Sequence, residues 1–339
     1  MRTLDFLRSP AFYASLVILV ILAAIPFVVK TTYFIFILIM VFMFTAMAAG
    51  WNMCAGYTGI VPFGNIAFFG IGAYTLAIFL IRWGVPPFIG VILGGLMAVI
   101  FALIVGYPCL RLRGAYFAIA TLGLMHALEV SAANLRSITG GAIGLSLPVR
   151  DPSITPHYYG MLLLALASIL VTYWIANSKF GLGLLAIRED QDAAEMSGVN
   201  THVYKLTVFA INGFFTGAVG AVWAYYLPYI DHTILFSHDD NIMLIVMAMF
   251  GGMGTVLGPA IGATALVLIS QWLTVGLPGL VGQLGAVLPT AIAVTLERAI
   301  SYLPMIIYGL LLIAMVLFMR GGLMGLFRAM YRRLATRRA

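Results

Sequence analysis

The sequence is poor in charge. Of its 339 residues, 9% are Asp, Glu, Lys or Arg, against about a quarter in an average soluble domain. Acidic side chains are the scarcest, with 11 in the whole chain. This excludes an ordinary solvated globule, and it leaves few carboxylates to serve as proton or sodium relays inside a membrane. Cysteine is almost absent. Cys54 and Cys109 lie in or beside apolar runs, which excludes a disulfide scaffold and, without neighbouring histidine, a cysteine metal site. Catalytic signatures are missing as well. There is no G-x-x-x-x-G-K-[ST] phosphate loop, so the chain has no P-loop ATPase of its own. There is no H-E-x-x-H pair and no G-x-S-x-G elbow. The five histidines, His126, His157, His202, His232 and His238, are scattered without ligand spacing. No catalytic residue and no metal site is expected from this inventory, and a membrane-embedded enzyme is disfavoured.

What the chain has is apolar length. It is 63% hydrophobic, and runs of about 20 apolar residues, each enough to cross the hydrocarbon core as a helix, recur throughout. The runs do not alternate, which argues against a barrel, and backbone in lipid must be bonded within its own segment. The expected fold is therefore an all-α polytopic membrane bundle. Ten spans are read, at roughly 11–29, 33–50, 60–81, 87–107, 115–133, 158–177, 204–228, 240–256, 257–275 and 302–319. The first run exceeds a signal-peptide core and is read as a retained helix. The stretch 280–296 reads as a partial or re-entrant helix. Glycines four apart, at Gly90 and Gly94, Gly213 and Gly217, and Gly254, Gly258 and Gly262, mark close helix packing.

Charge sets the orientation. With both termini inside, the cytoplasmic loops and ends hold 13 Lys and Arg residues and the outer loops hold 5. Arg320, Arg328, Arg332, Arg333, Arg337 and Arg338 form a basic tail over 320–339, suited to anionic lipid at the cytoplasmic face and requiring no nucleic-acid partner.

Four of the acidic residues, Glu189, Asp190, Asp192 and Glu195, crowd into one polar island at 179–205. A short helix from about Arg188 to Ser197 is expected there, with Gly198 as its stop signal. Spacings of three put Glu189, Asp192 and Glu195 on one face, and Ala193 and Ala194 leave room for a partner. The bland alternative is a solvated loop. Asn52, Thr58 and Asn65, in the segments that break the second and third spans, either line a wet pathway or hydrogen-bond between helices. Glu129 is an ionisable residue in the fifth span, with either a pathway-lining or an interfacial role. Thr139, Gly140 and Gly141 form a glycine-rich turn in the outer loop, placed to meet a partner outside.

Five motifs, in order, resemble the LivM-type permeases of branched-chain amino acid transport. They are Tyr57-Thr58-Gly59 through Tyr74, Arg111-Leu112-Arg113-Gly114-Ala115-Tyr116 through Leu122, Thr139-Gly140-Gly141 with Gly144, Arg188-Glu189-Asp190 with Ala193, Ala194 and Gly198, and Phe250-Gly251-Gly252-Met253-Gly254 through Pro259. The stretch Asp231–Asp240 follows the family pattern only loosely. The resemblance implies a type II ATP-binding-cassette importer architecture of about ten helices, forming one transmembrane domain over 1–339. It implies a bacterial inner-membrane location and a non-catalytic translocation role. It implies a LivH-type permease partner, two cytoplasmic ATPase subunits that use ATP and Mg, and a periplasmic binding protein. This chain would bind no cofactor itself. The island would be the coupling helix, with Arg188, Glu189, Asp190, Asp192, Ala193, Ala194, Glu195 and Gly198 facing an ATPase. Relatives that carry urea, short amides or aromatic acids share these motifs, and a stand-alone secondary transporter is the rival from another class.

Overall fold

The computed structural model describes residues 10–29, 31–148 and 153–276, with short helical pieces at 306–307, 309–310, 313 and 322–325. The expected re-entrant stretch 280–296 and the basic tail lie outside the described residues, apart from 322–325 in the tail. The expected tenth span lies outside them except for its short pieces. Among the described residues the helices are α1 (Pro10–Val28), α2 (Thr32–Thr58), α3 (Ile66–Trp83), α4 (Pro87–Cys109), α5 (Ala115–Asn134), α6 (Arg136–Thr139), α7 (Thr155–Ala176), α8 (Lys179–Glu189), α9 (Gln191–Met196), α10 (Thr201–Tyr226), α11 (His232–Leu235), α12 (His238–Gly251) and α13 (Gly258–Gln271). Eight helical segments there are long and apolar enough to cross a membrane, and they correspond to the second through ninth expected spans. Two dipeptide strands, β1 (Leu145–Ser146) and β2 (Tyr229–Ile230), pair antiparallel with Leu145 opposite Ile230.

The bundle is organised around α2 and α10. Helix α2 is buried almost without interruption from Val41 to Thr58, with α7, α10, α12 and α13 around it. Helix α10 lies across α3 and α4. Lipid offers no hydrophobic drive for helices to associate, so close packing supplies the attraction, and small residues permit it. A Cβ at Gly72 would sit 1.9 Å from the Gly217 carbonyl oxygen, and one at Gly217 would sit 2.4 Å from the Ala98 Cβ. The two backbones touch there. The α12–α13 hairpin closes the same way, since a Cβ at Gly262 would lie 2.0 Å from the Met247 oxygen.

Two boundaries differ most from the sequence expectation. Helix α2 continues through Trp51–Thr58, eight residues past its expected end, and stops at Gly59 (φ 73°). The polar residues there do not break the helix because Trp51 and Asn52 bond partners beyond it and Thr58 bonds back onto the helix itself. The third span begins at Ile66, not residue 60, because residues 59–65 run irregularly between α2 and α3.

Candidate functional site

At one end of the bundle the polar island folds into two helices, not one. Ser178 caps α8, its Oγ accepting from the Gly181 amide at 3.1 Å. Asp190 then takes extended backbone (φ −156°, ψ 116°) and caps α9 by accepting from the Ala193 amide at 3.0 Å. Helix α9 ends in a Schellman turn: Val199 N–H donates to the Ala194 oxygen at 3.0 Å and Gly198 N–H to the Glu195 oxygen at 2.9 Å, with Gly198 at φ 87°. Gly198 is thus the stop that the sequence indicates. The break at Asp190 corrects the expected single helix over 188–197, and Glu189 does not share a helix face with Asp192 and Glu195. A side chain that caps a new helix competes with continuation of the old one.

Several island residues have a traceable partner. Asp192 accepts a two-pronged bond from Arg113, at 2.8 and 3.3 Å, across the 110–114 loop. The Arg113 guanidinium holds the Asp192 carboxyl below its ordinary range, and the pairing raises Arg113 in turn. Glu195 accepts from Thr201 and, at 3.1 Å, from Gln191. The Thr201 hydroxyl first, and Gln191 second, hold the Glu195 carboxyl below its usual value. Lys205, buried in α10, donates to Gln191. Arg188 reaches back to α2, donating to the Gly56 oxygen at 2.7 Å, and its guanidinium lies 3.1 Å from where a Cβ on Gly254 would be. Arg188 therefore sits where the island, the end of α2 and the 252–256 glycine turn meet. Ala193 is exposed, whereas Ala194 is 4% exposed and packs inward, which corrects its reading as a surface for a partner. Met196, 92% exposed, projects at the tip instead.

The polar residues of the span interiors are engaged within the protein. Asn52 donates to the Thr255 oxygen at 2.9 Å and accepts from the Gly254 amide at 2.8 Å, pinning the glycine turn to α2. Asn65 accepts from Asn212 and donates to Thr216 at 3.2 Å. Thr58 turns back onto the Cys54 oxygen. All three are buried; Asn52 and Asn65 bond to other elements and Thr58 bonds within α2. The irregular 59–65 stretch is satisfied by side chains: Trp51 Nε1 donates to the Pro62 oxygen at 2.8 Å, Phe63 N–H donates to Thr121 Oγ1 at 3.0 Å, and Ile66 N–H donates to Asn241 Oδ1 at 3.2 Å. Asn241 Nδ2 donates to the Phe63 oxygen. Irregular backbone at membrane depth survives only with such partners. Beside it, Gly59, Ile60, Val61 and Phe63 face Phe117, Ala118 and Leu122 of α5 across an apolar cleft of about 520 Å³.

At the other end, Thr139 is buried and bonds the Ala132 and Leu135 oxygens at 2.6 and 2.8 Å. Gly140 and Gly141 take φ 76° and 62° to complete the turn. These three shape the loop; its most exposed large apolar residue among those described is Ile143. Arg82 donates to the Ser137 oxygen, joining two loops assigned to the same side, as Arg113 and Asp192 join two assigned to the opposite side. Glu129 accepts from His126 at 3.0 Å. His238 of α12 lies beside them, the three donor atoms within 4.8 Å of one another. Sequence spacing does not disclose this grouping, which joins two histidines 112 positions apart.

Residues 33–319 match a family described as branched-chain amino acid transport system / permease component. The high-affinity branched-chain amino acid transport system permease protein LivM of Escherichia coli (strain K12) is 28% identical over 281 residues, 74% of this chain and 65% of that protein. A probable branched-chain amino acid transport permease protein LivM of Methanocaldococcus jannaschii is 25% identical over 61% of this chain and 58% of its own length. The fructose import permease protein FrcC of Rhizobium meliloti is 24% identical over 55% of each. The chain thus spans somewhat under two-thirds of the length of these relatives. No solved structure matches. The chain belongs to the permease-component family of branched-chain amino acid transport systems.

Proposed function

We propose that this chain is the translocation subunit of an ATP-binding-cassette importer that carries leucine, isoleucine and valine. It works in the bacterial inner membrane with both termini in the cytoplasm. A LivH-type permease completes the pathway, two cytoplasmic ATPases consume ATP and Mg, and a periplasmic binding protein delivers the cargo. Family membership supports the transport role, and this sequence carries no phosphate loop, which fits hydrolysis by separate subunits.

The observation that carries the mechanism is the wiring of α8 and α9. Arg188 ties the island to α2 and lies against the glycine turn before α13. Thr201 and Lys205 tie it to α10, and Arg113 ties it to the loop that enters α5. A pull on the exposed tip at Ala193 and Met196 is delivered to four membrane helices without any titrating residue in the membrane. This is a rigid-body switch driven from outside the bundle. Ala193→Trp adds bulk on the exposed face of α9 and is expected to abolish ATP-driven leucine uptake by the assembled complex in liposomes, with membrane insertion unchanged. Normal uptake by that variant removes the coupling role. Uptake of urea or an aromatic acid in place of leucine reassigns the cargo and leaves the coupling role standing.

A further inference from the structure

We propose that His126, Glu129 and His238 form a binding site for a zinc-class divalent cation that ties the C-terminal half of α5 to the start of α12. His126 and Glu129 are three residues apart on α5, so they stand on one helix face. Their side chains already meet, Nδ1 to Oε2 at 3.0 Å. His238 arrives from a helix 109 positions further along, and its ring stands edge-on to His126 with centroids 5.9 Å apart. All three donor atoms fall within 4.8 Å. Two imidazoles and one carboxylate are a zinc donor set that leaves a fourth position open. Zinc–ligand bonds of about 2.0–2.1 Å in a tetrahedron place donor atoms about 3.3 Å apart. One pair is already closer than that, and side-chain rotation of the exposed histidines covers the rest. Asp239 and Asp240 in the first turn of α12 offset the positive end of that helix, which would otherwise repel a cation beside His238.

The position gives the site a physical consequence. Helix α5 buries only Phe117, Thr121, Met125 and Ala132 among its residues, far fewer than α2 or α10. A metal bridge to α12 would anchor the half of α5 remote from Arg113. The donor set also specifies the ion: imidazole favours zinc, nickel and copper over the oxygen-seeking magnesium and calcium.

The test is calorimetric titration of Zn²⁺ into the full chain in lipid nanodiscs, purified without a polyhistidine tag and stripped with chelator. One equivalent of saturable binding is expected, unaffected by millimolar Mg²⁺. In His126→Ala and in His238→Ala the affinity is expected to fall at least tenfold, since even loss of a partner behind a ligand costs about 10–100-fold. Co²⁺ is expected to give a visible absorption band in the native chain that is absent from both variants. Each variant is scored only with a native elution profile and helical content, and Glu129→Gln, which keeps the shape of the side chain, supplies the same test if one of them fails to fold. Absence of saturable Zn²⁺ binding overturns the proposal. So does binding of unchanged affinity in the two histidine variants.

Discussion

The interior seam of α2, α3, α4 and α10 and the α8–α9 end of the molecule are held by opposite means. In the seam, backbones touch at Gly72 and Gly217, and every polar side chain named above is spent on a neighbour, as in Asn65–Asn212–Thr216 and Asn52 with Gly254 and Thr255. At the α8–α9 end the carboxylates are exposed, and Asp192 and Glu195 are held by a few side chains at the surface. The seam is fixed by close packing and paired amides, whereas the proposed coupling role requires the island to pass a pull inward through its four fastenings. The difference separates residues that hold the bundle from residues proposed to move it.

The largest effect is expected where backbones meet. Gly72→Leu has no space beside the Gly217 oxygen and should cost about 3 kcal/mol or more, seen as loss of folded protein in detergent thermal unfolding. Asn52→Leu ranks next. It orphans the Gly254 amide and the Thr255 oxygen, at about 1–3 kcal/mol for each group, and should lower thermal stability while loosening the glycine turn. Arg188→Ala removes a charged hydrogen bond at the island and should leave stability within about 1–2 kcal/mol. Its effect should fall on coupling: ATPase activity of the assembled complex persists while leucine uptake drops about tenfold. A variant that loses both activities together, or neither, would erase the distinction between the two regions.

The smallest effect belongs to Arg113–Asp192. Both groups are exposed, so Asp192→Asn should leave thermal stability unchanged. The folded-state Asp192 carboxyl is depressed, so the contact is fully present above the ordinary carboxylate value of about 4 and is lost as pH falls through the lowered value. A spin-label distance between positions 111 and 193 should accordingly be sharp at neutral pH and broaden only in stronger acid. Broadening already at pH 6 would mean that the contact does not fasten the loop.

The membrane helices were legible in the sequence because lipid imposes a length and a composition on each. Pairs such as Gly213 and Gly217 were legible too, since close packing needs small residues at one-turn spacing. The destinations of the buried amides were not. Asn52 finds Thr255 203 positions away, and Asn241 satisfies Phe63 178 positions away, so local pattern holds no trace of either. The polar look of Trp51–Thr58 therefore suggested a broken helix where the chain stays helical. The island was legible by charge, but Asp190 could be read either as a helix residue or as a cap, and only the folded turn decides. His126 and His238 are joined by topology alone. Asn212, Thr216 and Asn241 are supporting residues that the sequence reading does not single out, although a polar residue inside an apolar run is an available signal; Arg113 is legible only as part of a motif, not as the partner of Asp192.

The central claim is that the tip of α9 docks on a cytoplasmic ATPase, and it is tested most directly by cross-linking. Cys109 is replaced by serine, and a single new cysteine is placed at Met196 or, at the opposite end of the bundle, at Ile143, two of the exposed apolar positions. A short bifunctional reagent is then applied to the assembled complex. The account predicts an adduct between position 196 and an ATPase subunit, its yield changing with ATP, and none from position 143. Adducts from 143 and not from 196, or from neither, would contradict it.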